Sequence, residues 1–384
     1  MATFKQYTKK DGTKLWMFKT YLGTDANGKQ ITTTRRNFNT KKEAQLALSR
    51  LKVQFEKGEY NKPKEDRYTF NQVFEIWKNN YELTVKESTF VKVMSQYEFH
   101  ILPIFGSKFI DDISVIDIQN YANDKVNNFV NYRNLITNIS RIFDYAVNIG
   151  LIDANPTKRI SIPKRKISVG DNKKQNYYTK IELKQFLDLS RKQQPYYIYA
   201  FFQLLAYSGC RKGEILGLQW RSVSFKDNHI NIIQTLASGK DNRLYLEQPK
   251  TKHSKRIVSL DKQTMEVLKH WKKEQRKMMF QLGYNTMNDE QLVFSNIENS
   301  FLQVSKPRKW MLQTIQKNNL KEISIHGFRH THATLLLEAG VSPKVISERL
   351  GHSSIQITLD LYSHVTEEME REVPDIFANA VNFD

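Results

Sequence analysis

The chain has 384 residues, 40% of them hydrophobic and 12% aromatic, which allows two or three folded domains with sizeable cores and excludes a disordered chain. Its 59 lysines and arginines against 40 aspartates and glutamates leave a formal charge of +19; that balance points to a polyanionic partner, although charge alone also fits a merely basic soluble protein. A single cysteine excludes an internal disulfide, and neither the apolar core of a signal peptide nor a run of 18 apolar residues is present, so an intracellular protein that spans no membrane is expected.

Residues 1–62 read as a small three-stranded sheet followed by a helix. Leu15–Leu22 and Gln30–Arg36 are rich in strand formers, and Asp11-Gly12 and Asp25–Gly28 supply turns. Thr40 with Glu43 forms a capping box, and Ala44, Ala47, Leu48, Leu51 and Phe55 give the helix an apolar face. Nine cations between Lys9 and Lys42 stand beside Trp16 and Tyr21. Such a run is most often a solvated face, but basic strands with interleaved aromatics also suit a sheet laid against DNA.

Residues 61–66 are a polar linker, and a helical region follows to about 163. Thr69 caps a helix carrying Val73, Phe74, Ile76 and Trp77; a second begins near Ser88 and is expected to end at His100–Pro103. Ser114 opens a third with Val115, Ile118 and Tyr121, and a fourth spans about Tyr132 to Val147, stopped by Gly150. Residues 164–176 are cationic, almost free of apolar side chains and broken by Gly170, which marks an interdomain linker.

Thr179 and Glu182 make another capping box, and Ile198–Tyr207 is apolar enough for a buried helix. Arg211 follows Gly209 at a helix junction, where Glu214 can reach back to orient it; the plainer reading is an ordinary helix ion pair. Cys210 leaves a catalytic thiol open, without a recognisable partner spacing. His229–Ile233 and Leu244–Glu247 read as strands joined by Ser238–Asn242, and Pro249–Val258 as a cation-rich hairpin. Trp271–Leu282 reads as a helix, and residues 283–321 as strand and helix pieces without assignable function. Gly340 ends one helix and Ser342-Pro343 starts the next, with Leu335, Leu336, Val345, Ile346 and Leu350 as their core.

Residues 326–364 concentrate chemistry. His326, Arg329 and His352 precede Tyr362, a set suited to a phosphate: arginine offers a fork of donors, histidine a donor or proton carrier, and tyrosine a covalent nucleophile. His326 and His330 stand four apart and invite a zinc reading, but Gly327 occupies the place of the glutamate in a His-Glu-x-x-His site. Beyond Tyr362 the chain turns acidic, and Val373, Ile376, Phe377, Ala380 and Val381 share one helical face.

Ser208-Gly-Cys-Arg-Lys-Gly-Glu214, Lys250, His326-Gly-Phe-Arg329-His, Leu350-Gly-His352 and Leu361-Tyr362 together resemble the tyrosine recombinase (phage integrase) family, in its order and with its His-to-Tyr gap. The resemblance is strongest over residues 175–365; a weaker likeness toward the N-terminus points to integrases of Gram-positive phages and conjugative transposons. It implies an α+β multidomain protein: an arm-site DNA-binding domain at 1–62, a helical core-binding domain at 67–163, a linker at 164–176, and a mainly helical catalytic domain with a β-hairpin at 177–384, ending in a tail helix. It implies a site-specific recombinase that cuts and rejoins DNA through a 3′-phosphotyrosyl intermediate, with Arg211, Lys250, His326, Arg329, His352 and Tyr362 as catalytic residues and no cofactor or metal. Lys252 and Lys255 are rivals of Lys250. The implied partners are double-stranded DNA at crossover and arm-type sites, a homo-tetramer on DNA and accessory DNA-bending or excision proteins, in a bacterial cytoplasm near the nucleoid. A tail packs either on its own catalytic domain or on a neighbouring protomer. A type IB topoisomerase and a non-catalytic helix–turn–helix regulator are the alternatives.

Overall fold

Three antiparallel strands open the computed structural model, which describes residues 2–8, 14–24, 30–56, 67–165, 175–248, 255–362 and Ala378. The expected turns at 11–12 and 25–28, the linker at 61–66, most of that at 164–176, the tip of the cationic hairpin and the tail helix lie outside the described residues. Strands β1 (Thr3–Thr8), β2 (Lys14–Thr24) and β3 (Gln30–Phe38) pair in that order, with irregular register between Trp16 and Phe18. Helix α1 (Lys41–Glu56) covers them, burying Ala44 and Leu51 near Phe18, which stacks on Phe38 at 5.6 Å. Thr40 Oγ1 accepts the Glu43 N–H as expected, but Glu43 reaches back to the N–H of Asn39 rather than Thr40.

Helix α2 (Phe70–Thr84) starts from Thr69, whose hydroxyl accepts the Gln72 N–H. Helix α3 (Glu87–Gln96) does not end at His100–Pro103. It continues through a π-helical turn at Tyr97–Ile101, where the Leu102 N–H bonds to Tyr97 O, into α4 (Leu102–Phe105). The wide turn relieves the clash that the Pro103 ring would make with the carbonyl four residues back. Ser114 and Asp117 close a full capping box on α5 (Val115–Asn128), and α6 (Tyr132–Asn148) buries Leu135, Ile139, Ile142 and Phe143. Phe70, Phe74, Tyr97 and Phe143 fill this helical core, with Phe70 edge-on to Phe143 at 5.8 Å.

The chain divides into two compact units: residues 1–81 with 96–164, and 82–95 with 165–384. Ion pairs of Lys240 with Glu82, Arg243 with Glu87 and Lys86 with Glu247 bind residues 82–95 into the second unit.

In the second unit, α7 (Lys180–Gln193) carries the Thr179–Glu182 capping box and α8 (Tyr196–Ser208) is buried along most of its length. Helix α9 (Lys212–Leu216) leads to β4 (Val223–Ser224) and β5 (His229–Ile232). Leu244–Glu247 does not pair with His229–Ile233. It forms β7 against β6 (Thr235–Ser238), closed by a 3-10 turn at Lys240–Asn242, while β5 takes β8 (Arg256–Ser259) as its partner. Alternation explains the choice. Val258 opposite Ile230 is buried, and Ile257 between Arg256 and Val258 points outward at 63% exposure.

Helix α10 (Lys262–Gln281) begins well before Trp271 because Asp261 caps it and Met265, Val267 and Leu268 already face inward. Helices α11 (Lys306–Asn318), α12 (Gly327–Glu338), α13 (Pro343–Leu350) and α14 (Gln356–Tyr362) complete the unit. Of the residues expected to form the α12–α13 core, Ile346 and Leu350 are buried, but Val345 is 53% exposed and Ala333 and Leu337 take the inner positions instead. Phe186, Phe202 and Phe328 interlock with ring centroids 5.1–5.3 Å apart. Phe328 thereby holds α12 against α7 and α8 and places the next residue, Arg329, in the interior.

Candidate active site

The site is built at the C-terminal end of α13. Three successive backbone carbonyls there each accept a hydrogen bond from a different guanidinium: Arg349 O from Arg256 Nε at 2.8 Å, Leu350 O from Arg329 Nη2 at 2.8 Å, and Gly351 O from Arg211 Nη2 at 3.2 Å. The last carbonyls of a helix lack partners in the helix and carry its partial negative charge, so they are natural acceptors for cations. Gly351 takes a left-handed conformation (φ 67°), which turns the chain sharply into His352.

Arg211 arrives from the α8–α9 junction. Gly209 ends α8 in a left-handed conformation (φ 62°), and a Cβ there would lie 2.6 Å from Leu350 Cδ2 and 2.7 Å from His332 Cδ2. Glycine therefore lets α12 and α13 close on this turn. Glu214 accepts both the Arg211 backbone N–H, at 2.8 Å, and Arg211 Nη1, at 2.9 Å, as expected. The carboxylate is 4% exposed and also pairs with Arg256 Nη2 at 2.9 Å. Burial opposes its charge, but the Arg256 hydrogen bond and charge, with Arg211, hold its pKa below the usual glutamate value. Cys210, beneath this pair, is fully buried, and burial pushes its thiol pKa up, the opposite of an activated thiolate.

Arg329 is 2% exposed and donates to two neutral carbonyls, Gly209 O at 3.0 Å and Leu350 O. Among the described residues no carboxylate forms an ion pair with it. Burial first, and the Arg211 guanidinium second, work against its charge and hold its pKa well below the usual arginine value. A guanidinium so placed is short of an anion.

Histidines complete the surroundings. His326 stands at the N-cap of α12, its ring 4.7 Å from that of His330; desolvation, then His330 and the two arginines, push its pKa down to about 4. Desolvation, then Arg329 and Arg211, push His352 down to about 3, so both imidazoles are neutral at physiological pH. His352 Nδ1 lies 2.8 Å from Thr358 Oγ1. His332 is structural: Nδ1 donates to Ala206 O at 2.8 Å and Nε2 accepts from Arg349 Nε at 3.0 Å. Among the described residues no group of three or more His, Cys, Asp or Glu side chains is placed to hold a metal ion.

Of the six residues singled out by sequence, Arg211, His326, Arg329 and His352 thus come together. Lys250 and its rival Lys252 lie outside the described residues; Lys255 is described and exposed. Tyr362 ends α14, which packs on α12 and α13; its side chain lies outside the described residues. Sequence reasoning missed Arg256 as the second cation on Glu214, because it was one of several cations in a single segment. The strand alternation that puts Arg256 on the same side as the apolar Val258 was the available signal.

Comparison with known proteins supplies the context. Residues 176–369 match the phage integrase family, residues 69–126 the phage integrase N-terminal SAM-like domain, and residues 4–55 an arm DNA-binding domain. The ICEBs1 integrase of Bacillus subtilis is 27% identical over 350 residues, which cover 89% of this chain and 91% of that protein. A XerC-like tyrosine recombinase of Caldanaerobacter subterraneus is 29% identical over 386 residues, covering 95% and 96%. Among solved structures, the fold is shared with the Tn1549 transposon integrase in complex with transposon right end DNA (TM-score 0.66, 20% identity, 79% of this chain and 99% of that one). It is also shared with the lambda integrase tetramer bound to a Holliday junction (TM-score 0.58, 14% identity, 93% and 94%).

Two outcomes follow from the electrostatics. Glu214→Ala leaves Arg256 buried without its carboxylate and should cost about 3–5 kcal/mol of stability, read as a lower denaturant midpoint at unchanged slope. A loss under about 1 kcal/mol would show that Glu214 does not organise the arginines. His332 has a pKa of about 4 in the fold and about 6.5 unfolded, so below pH 6.5 the unfolded chain gains the proton first. Its contribution is complete above pH 6.5 and is lost as pH falls toward 4, by about 1 kcal/mol per pH unit. His326 and His352 add to the fall in the same direction, so denaturant titrations at pH 7.5 and 5.5 compare wild type with His332→Gln; the fall should be larger in wild type by about 1 kcal/mol, and equal falls would contradict the neutral, doubly bonded imidazole.

Proposed function

The chain belongs to the phage integrase family and is a tyrosine site-specific recombinase, and on that premise we propose how its site acts on DNA. One observation carries the reading. Arg211 and Arg329 converge beside two neutral histidines at the end of α13, and the buried Arg329 forms no ion pair among the described residues. A phosphodiester is the anion that this arrangement fits. Its two non-bridging oxygens match the donor forks of the two arginines.

Tyr362 attacks the phosphorus and forms a 3′-phosphotyrosyl bond, and the 5′-oxygen leaves. Lys250 protonates that oxygen, a contribution of about 10²–10⁴ for a placed general acid. A 5′-hydroxyl of the partner duplex then attacks the phosphotyrosine, releases Tyr362 and joins the new strand. Bond energy is conserved, so the exchange runs without ATP. Arg211 and Arg329 hold the charge that grows on the non-bridging oxygens; losing one such donor costs ~10²–10³ in rate. His352 donates to a phosphate oxygen, and His326 handles the proton of Tyr362. A neutral imidazole serves both roles.

The modules divide the remaining work. Residues 1–62 bind arm-type sites, residues 67–163 clamp the crossover duplex, and residues 177–384 carry the chemistry. The match of residues 4–55 to an arm DNA-binding domain supports the first assignment and favours neither a topoisomerase nor a simple regulator. The solved lambda integrase tetramer on a Holliday junction supports a four-protomer complex. The protein works on the DNA of a bacterial nucleoid and integrates or excises a mobile element or phage genome. Among the described residues no helix is long and apolar enough to cross a membrane.

Nicked duplexes tiled across the ends of the genetic element that carries the gene provide the test. Wild type should form a covalent adduct stable to denaturant, and Tyr362→Phe should bind the same duplex within about twofold yet form none. Adduct formed by Tyr362→Phe would remove the nucleophile assignment.

A further inference from the structure

His352 is neutral in the fold and has one ring proton for two nitrogens, so its chemistry depends on which nitrogen holds it. Nδ1 lies 2.8 Å from Thr358 Oγ1. Thr358 is 0% exposed, and among the described residues His352 Nδ1 is the one hydrogen-bond partner of its hydroxyl. A buried hydroxyl that leaves its hydrogen unbonded is destabilising. If Nδ1–H donated to Oγ1, the threonine hydrogen would have no acceptor among the described residues, and Nε2 would carry a lone pair useless to a phosphate oxygen. If instead the threonine hydroxyl donates to Nδ1, its hydrogen is satisfied and the ring proton sits on Nε2. His332 takes the opposite form because its Nδ1 meets a carbonyl, Ala206 O, and Arg349 donates to its Nε2.

The same hydroxyl has a second consequence. Thr358 and Tyr362 are four residues apart along the backbone of α14, about one helical turn. A bond from Thr358 to His352 therefore ties the short helix that carries the nucleophile to the histidine. We propose that Thr358 is a positioning residue: its hydroxyl donates to His352 Nδ1, fixes the Nε2–H tautomer that donates to a non-bridging phosphate oxygen, and anchors α14. The proposal rests on the phosphotyrosine reading for its catalytic half only.

Nuclear magnetic resonance of the full chain with ¹⁵N-labelled histidine, assigned with a His352→Gln variant, reads the tautomer without DNA. Wild type should show a protonated Nε2 and a bare Nδ1; Thr358→Val should show a mixture of the two forms. On the nicked duplexes, Thr358→Val should slow adduct formation about 10- to 100-fold with DNA affinity within twofold, and Thr358→Ser should recover the rate to within about threefold. In a His352→Gln background, Thr358→Val should add less than threefold. A wild-type Nδ1–H signal overturns the proposal whether or not any variant folds. An unchanged rate for Thr358→Val, or independent losses in the double variant, overturns it as well. Absence of any wild-type adduct would count against the phosphotyrosine reading instead, and the tautomer signal would still judge the role of Thr358.

Discussion

Three guanidiniums share the end of one short helix. Arg256, Arg329 and Arg211 donate to the carbonyls of residues 349, 350 and 351 in turn, and much of the site depends on that arrangement. Like charges gathered in a buried place repel, and desolvation adds to the cost. The fold offsets this with partial charges from the helix end and with one full charge, Glu214, which pairs with Arg211 and Arg256. Among the described residues Arg329 meets only neutral acceptors and keeps its demand for an anion. The string Leu350-Gly351-His352 has a physical reading in this light. Two of its residues supply carbonyls to arginines, the left-handed glycine turns the chain, and the histidine follows directly into the space they enclose.

Residues far apart in sequence meet because of apolar packing. Phe328 is clamped by Phe186 and Phe202, so Arg329 beside it cannot reach solvent. Tyr178 docks the segment after the linker under α12 through its N–H to Thr331 Oγ1 and its hydroxyl to Lys321 O, both at 2.9 Å. Gly209 removes the side chain that would hold α8 away from α12 and α13. A rigid core therefore presents preformed donors, so little reorganisation is left for the moment when charge develops on a phosphate. The 82–95 segment, bound through Glu82 and Glu87 to the β6–β7 turn, belongs to the same unit as this core.

Features carried by local chemistry were legible in the sequence. The capping residues Thr69, Ser114 and Thr179 start their helices where expected, because a cap is a short-range hydrogen bond. The ordered arginines and histidines were legible because their types and spacing match a family, and four of them meet. Features decided by partners distant in sequence were not. The choice of β8 over β7 as the neighbour of β5 depends on which faces become buried, and the π-helical turn before Pro103 depends on relief of a clash. Arg256 looked like its neighbouring cations until the strand put it on the inner face. Val345 matched a helical period yet lies outside, since period fixes which residues share a face but not which of two neighbouring apolar positions packs inward.

The claim that the arginines are held for a phosphodiester is tested most directly by removing charge from the phosphate rather than from the protein. Cleavage rates of Arg329→Ala and wild type are compared on a duplex with an ordinary scissile phosphate and on one with a methylphosphonate, which lacks the charge of one non-bridging oxygen. Arg329→Ala should lose ~10²–10³ in rate on the phosphodiester and recover most of that loss on the methylphosphonate. An equal loss on both substrates would mean that Arg329 supports the fold rather than the developing charge, and would contradict the account.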